Sequence, residues 1–230
     1  KAGGWLSNAF DINLKNIANT QVVYWGGKLL ALWEAAEPHR LDPKTLDTLG
    51  IEYLNNTLKP GDPFAAHPLF DPKQGRMVNF GLKAGKFDKT GLLTGITIYE
   101  LDLDGKVVEE HSHTIPGFAF IHDFAITPNY CIFFQNPVGF NPFPFLFGLK
   151  GAGECVKFQP EKPTKILVIP RNPRSGEKIQ TLETKSGFVF HHANAFEQDG
   201  KISIDSIAYA TFPEVEPDRD FRDINFSTLT

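Results

Sequence analysis

Cysteine is nearly absent from the 230 residues: only Cys131 and Cys155 occur, without a CxxC spacing. A disulfide scaffold and a thiolate zinc site are thereby excluded, and a reducing cytosol is the compartment that fits. Basic runs are missing too. The chain sets 23 Lys and Arg against 27 Asp and Glu, for a net charge of −4, and no cluster tracks a phosphate backbone, so nucleic acid is not an expected partner. No uninterrupted apolar stretch approaches the roughly 18 residues that a spanning helix needs. Lys1-Ala2-Gly3-Gly4-Trp5 lacks the charged and then apolar order of a secretion signal. Hydrophobic residues at 41% and charged residues at 22% exclude the disordered and collagen-like classes.

What is plentiful is phenylalanine, at 21 residues. Aromatic surface on that scale serves either a β core or the wall of a cavity for an apolar ligand.

Short β-type runs recur between turn formers. Thr20 to Trp25 and Lys28 to Glu34 flank Gly26-Gly27, the pattern of a hairpin with a primed turn. Thr94 to Asp102 and Lys106 to Ile115 flank Asp104-Gly105, with the two-residue alternation of half-buried strands. Phe118 to Thr127 pairs with Tyr130 to Gln135 across Pro128-Asn129. Lys165 to Arg171 reads as a further strand, and Phe188 to Glu197 pairs with Lys201 to Tyr209 across Gln198-Asp199-Gly200. Only Pro43 to Leu49 hints at helix. Many antiparallel strands without intervening helices predict an all-β sandwich, barrel or propeller, and the pattern alone does not choose among them. The segment 136–150, with Phe143, Phe145, Leu146 and Phe147, is apolar yet rich in Pro and Gly. It reads either as a loop folded over the core or as a surface that dips into a membrane.

Seven histidines are present. His67, His122 and His191 each sit among apolar residues, where a neutral imidazole needs a partner for its nitrogens, and a metal ion is one partner that several imidazoles share. Their separations, 55 residues (67 to 122) and 69 residues (122 to 191), require convergence from different structural units. By spacing alone the signal is weak, because isolated histidines are more often core or surface residues than ligands. His111 and His113 share one strand face in the manner of a chelate, but Glu109 and Glu110 beside them read as a solvated strand end. His39 reads as part of a polar turn.

Three phrases add context: Ala66-His67-Pro68, His122-Asp123-Phe124-Ala125-Ile126-Thr127 and Phe190-His191-His192-Ala193-Asn194-Ala195-Phe196-Glu197. They resemble, in order, three iron-ligand motifs of carotenoid cleavage oxygenases. A fourth, Leu32-Trp33-Glu34-Ala35-Ala36-Glu37-Pro38 with Leu41-Asp42-Pro43 and Thr45-Leu46, resembles the family segment that carries a glutamate supporting a ligand. The resemblance covers essentially the whole chain and is nearest to the cyanobacterial apocarotenoid oxygenases.

The resemblance implies a seven-bladed β-propeller with Fe(II) on its axis, of which residues 1–230 form part of a single domain and an incomplete set of blades. It implies His67, His122 and His191 as ligands and Glu34 as acceptor of a ligand's outer N–H. His192, adjacent on a strand, points the other way. Family members use four histidines. The fourth, with two further glutamates, has no match before Thr230, so the segment alone is expected to be inactive. The implied reaction is O2-dependent cleavage of a polyene double bond in a carotenoid or apocarotenoid, giving aldehydes of the retinal type. The expected protein is cytoplasmic and held at a membrane surface, with Phe143, Phe145, Leu146 and Phe147 at the mouth of an aromatic-lined tunnel. Three rival readings are a retinoid isomerohydrolase on the same iron site, a zinc-dependent propeller hydrolase and a non-catalytic carotenoid-binding propeller.

Overall fold

The fold was obtained as a computed structural model; residues 15–89, 91–151 and 153–212 are described, so the ends of the expected 1–230 domain lie outside them. Strands β1 (Gln21–Trp25), β2 (Lys28–Leu32), β3 (His39–Leu41) and β4 (Thr48–Ile51) form an antiparallel sheet in chain order. A second such sheet holds β5 (Leu69–Asp71), β6 (Arg76–Asp88), β7 (Gly91–Leu101) and β8 (Val107–Pro116). The third begins with β9 (Ala125–Ile126) and β10 (Tyr130–Gln135). It is interrupted by a two-stranded ribbon, β11 (Val138–Phe140) with β12 (Val156–Phe158), and resumes with β13 (Thr164–Pro170) and β14 (Gln180–Thr184). A long hairpin, β15 (Phe188–Gln198) with β16 (Lys201–Tyr209), follows. Successive four-stranded meanders of this kind are the blades of a propeller.

The alternation of apolar residues explains why the sheets stack. One cluster joins strands of the first and second sheets through Leu30, Leu32, Phe64, Met77, Tyr99 and Leu101. Another joins the second and third through Phe80, Ile96, Ile98, Phe124, Phe133 and Ile169. Each fully buried side chain of this size contributes about 1.5–3 kcal/mol through removal from water. Between the second and third sheets, the Arg171 guanidinium donates to Glu100 (Nε to Oε1, 2.7 Å; Nη2 to Oε2, 3.0 Å), to Asp71 Oδ2 (2.7 Å) and to the Thr127 carbonyl (2.9 Å).

Gly26 and Gly27 both have positive φ (56° and 71°), as a primed two-residue turn demands. A Cβ on Gly26 would collide with the backbone of Gly105 in the turn between β7 and β8. The two hairpin tips therefore touch, and Trp25 Nε1 donates to the Asp102 carbonyl (2.7 Å) to fix them.

Four expectations are corrected. Pro43 to Leu49 is not helical. Asp42 Oδ1 caps the amides of Lys44 and Thr45, Leu46 takes φ 64°, and the chain turns straight back into β4 against β3. His39 belongs to β3 rather than to a polar turn. Of Phe118 to Thr127, only Ala125–Ile126 pairs with β10, because side chains replace the ladder upstream: Gln135 Nε2 donates to the carbonyls of Pro116 and Phe118. Finally, segment 136–150 carries regular structure, with β11 paired to β12 and a five-residue helix, Pro142–Leu146, whose proline-bearing first turn is capped by Asn141 Oδ1.

Candidate metal centre

Apart from Glu34, the site is built from residues at or just before the first strand of each sheet. Gln21 opens β1, Glu34 lies in the turn after β2, His67 precedes β5, His122 precedes β9 and His191 lies in β15. His67 is placed by a pinned segment. Phe64 N–H donates to the Ala36 carbonyl (3.1 Å), Ala65 N–H to the Phe80 carbonyl (2.7 Å), and Asn79 Nδ2 to the Ala65 carbonyl (2.8 Å). This segment crosses β6 so closely that a Cβ at Gly81 would overlap the Pro63 carbonyl oxygen.

Ahead of His122, Ala119 and Ile121 are buried in the core while Phe120 and His122 alternate with them. His191 is set by a β-bulge. Its strand starts with Val189 held by the Asn136 side chain in place of a neighbouring strand: Val189 N–H donates to Asn136 Oδ1 (2.9 Å) and Asn136 Nδ2 donates to the Val189 carbonyl (3.0 Å). Asp123 Oδ2 then accepts the His192 N–H (3.0 Å).

The three predicted histidines come together: one ring nitrogen from each lies within 4.8 Å of the others. His67 and His122 are closest, with Nε2 atoms 2.9 Å apart. Their outer nitrogens are committed. His67 Nδ1 donates to Gln21 Oε1 (2.8 Å), and His122 Nδ1 donates to Glu34 Oε1 (2.7 Å). A neutral imidazole carries one N–H, so both Nε2 atoms present lone pairs to each other, an arrangement that calls for a cation. The donor set, neutral nitrogen ligands from separate elements, fits a divalent transition metal.

Electrostatics agree with that fit. Burial and then the neighbouring His122 push His67 below the ordinary histidine range, against the pull of Asp123 and Glu34, which keeps the ring neutral as a ligand must be. Burial alone would raise the Glu34 carboxyl, but the hydrogen bond from His122 holds it below the ordinary glutamate value. His191 Nδ1 stands 3.6 Å from Asp123 Oδ2, longer than a hydrogen bond. Phe190 meets the His122 ring at 90° with centroids 5.5 Å apart and packs with Phe120, Phe188 and Phe212, giving the site an aromatic flank.

The remaining histidines lie elsewhere. His192 bonds Ser206 Oγ (2.8 Å) and stays out of the cluster. His111 and His113 are not a solvated end: both are half-buried, burial lowers both below the ordinary histidine value, and His111 Nδ1 meets His113 Nε2 at 2.7 Å. They face inward on the alternating strand, and among the described residues no third His, Cys, Asp or Glu joins them. Sequence reasoning missed Gln21 and Asn136, because an amide in a strand or loop carries no pattern of its own. The role of Asp123 was visible only as a letter in the His122 motif.

The geometry has counterparts among known proteins. The family described as retinal pigment epithelial membrane protein matches residues 1–227. The chain belongs to that family, the carotenoid cleavage oxygenases. It is 51% identical over 234 residues to the apocarotenoid-15,15'-oxygenase of Synechocystis, covering 99% of this chain and 46% of that protein. It is 38% identical over 201 residues to carotenoid cleavage oxygenase 1 of Neurospora crassa, covering 87% of this chain and 36% of the relative. The crystal structure of cobalt-substituted Synechocystis apocarotenoid oxygenase superposes with a TM-score of 0.88 at 50% identity, over 99% of this chain and 47% of that one. The chain thus spans less than half the length of these relatives. The sheets of this family member are an incomplete set of blades of a seven-bladed β-propeller. Among the described residues no helix is long and apolar enough to cross a membrane.

Proposed function

We propose that His67, His122 and His191 are iron ligands of an Fe(II)-dependent oxygenase that cleaves a double bond of an apocarotenoid with O2. The observation that carries this reading is the facing pair of Nε2 lone pairs on His67 and His122, whose outer N–H groups are taken by Gln21 and Glu34. The 51% identity to an apocarotenoid oxygenase supports the substrate class.

When bound, iron supplies the centre at which O2 and the alkene react, each carbon of the broken double bond taking one oxygen atom to become a carbonyl. Glu34 holds the His122 ring in its metal-facing orientation. The Phe120, Phe190 and Phe212 rings give the polyene an apolar flank and keep water from it. Phe143, Phe145, Leu146 and Phe147 form the surface through which a lipophilic substrate arrives from a membrane; Phe143 is 67% exposed. Two free, buried cysteines suit a cytoplasmic protein at the membrane surface.

The deciding experiment loads the intact protein with Fe(II) under anaerobic conditions, then adds O2 and an apocarotenal in detergent. Two carbonyl products in equal amounts, with one O2 consumed, are expected. A cis-alcohol from a retinyl ester, or turnover with zinc and without O2, would replace this reading with isomerohydrolase or hydrolase chemistry.

A further inference from the structure

The first sheet supplies both outer partners of the close histidine pair, and they differ in charge. Glu34 offers His122 a carboxylate, whereas Gln21 offers His67 a neutral amide oxygen. Gln21 is rigidly placed for this. It is paired with Leu32 in the β1–β2 register, and the preceding residue, Thr20, donates its N–H to the Leu32 carbonyl (3.1 Å). A carboxylate partner draws the imidazole proton toward itself and raises the electron density on the far nitrogen. An amide oxygen selects the same tautomer with far less polarisation.

We propose that Gln21 is a positioning residue of the metal centre: it fixes the metal-facing tautomer of His67 while leaving that ring a weaker donor than His122. Gln21 thereby tunes one arm of the site without adding a negative charge beside it. This rests on the metal-centre reading above and deepens it by separating the part of Gln21 from that of Glu34.

The test strips the intact protein of metal and titrates Co(II) against a chromophoric chelator, reading affinity and the visible absorption band. Gln21→Leu keeps the bulk and removes the acceptor; it is expected to weaken Co(II) binding about 10–100-fold. Gln21→Glu keeps the length and adds charge; tighter binding than the parent and a displaced visible band are expected. Unchanged affinity in Gln21→Leu, or weakening in Gln21→Glu to match it, would overturn the proposal, since a merely structural glutamine predicts no gain from the carboxylate. His122→Ala separates the two levels. If it abolishes Co(II) binding while Gln21→Leu leaves the affinity unchanged, only the glutamine role fails; if it leaves Co(II) affinity untouched, the metal centre and the glutamine role fall together.

Discussion

His122 Nδ1 and Glu34 Oε1 lie 2.7 Å apart, joining the segment before the third sheet to the turn between β2 and β3. The bond fixes which face of the imidazole looks toward His67. Glu34→Gln keeps an acceptor and loses the charge, and metal affinity is expected to fall about tenfold with the fold intact. Equilibrium metal content after dialysis against a chelator, alongside the circular dichroism spectrum, checks both halves.

Gly81 has a second consequence for the site. Alanine there would overlap the Pro63 carbonyl, and the obstacle is backbone, not a flexible side chain. Gly81→Ala is expected to lower stability by about 1–3 kcal/mol and to displace His67, so that metal is lost with the denaturation midpoint. Gly95→Ala, where the nearest atom is the Lys83 carbonyl oxygen at 3.9 Å, is the control and should retain both.

Acid should act at the clamp between the second and third sheets. Burial alone would raise the Asp71 carboxyl, but bonds from Arg171 and from the Gln74 and Lys73 amides hold it below the ordinary aspartate value. A carboxyl with a depressed folded-state value stabilises the fold fully above its unfolded value, about 3.9, and loses that contribution as pH falls through the folded one. Asp71→Asn is therefore expected to be less stable near neutrality and to show a shallower loss of stability below about pH 4. Urea midpoints measured across that range give the slope.

Membrane attachment through the segment 142–147 predicts that serine at Phe143, Leu146 and Phe147 abolishes sedimentation with liposomes while turnover in detergent persists. Undiminished sedimentation would assign the exposed rings to another role.

The hairpins and the site histidines were legible because each has a local signature: turn glycines with positive φ, two-residue alternation, and short phrases around His67, His122 and His191. The failures share a cause. At Pro43 to Leu49 an Asp-Pro start imitates a helix, yet pairing of β4 with β3 decides the outcome. Upstream of His122, amide side chains of Gln135 and Asn136 serve carbonyls that an extended sequence reserves for a neighbouring strand. The His111–His113 pair reads as solvated beside its glutamates, but Arg174 Nη2 bonds Glu109 Oε2 at 2.7 Å and the strand turns that face inward. Long-range partners of this kind leave no local trace.

Asn136 gives the molecule a seam. Its amide stands in for a strand at Val189, and with Asp123 holding the His192 N–H and Glu197 accepting from Asn129, β15 is fastened to the preceding blade by side chains instead of a ladder. Such a joint parts and re-forms without unzipping any hairpin, and the Val189 amide proton should exchange with solvent at the pace of that opening. Its exchange rate would time the opening of the joint between β15 and the preceding blade.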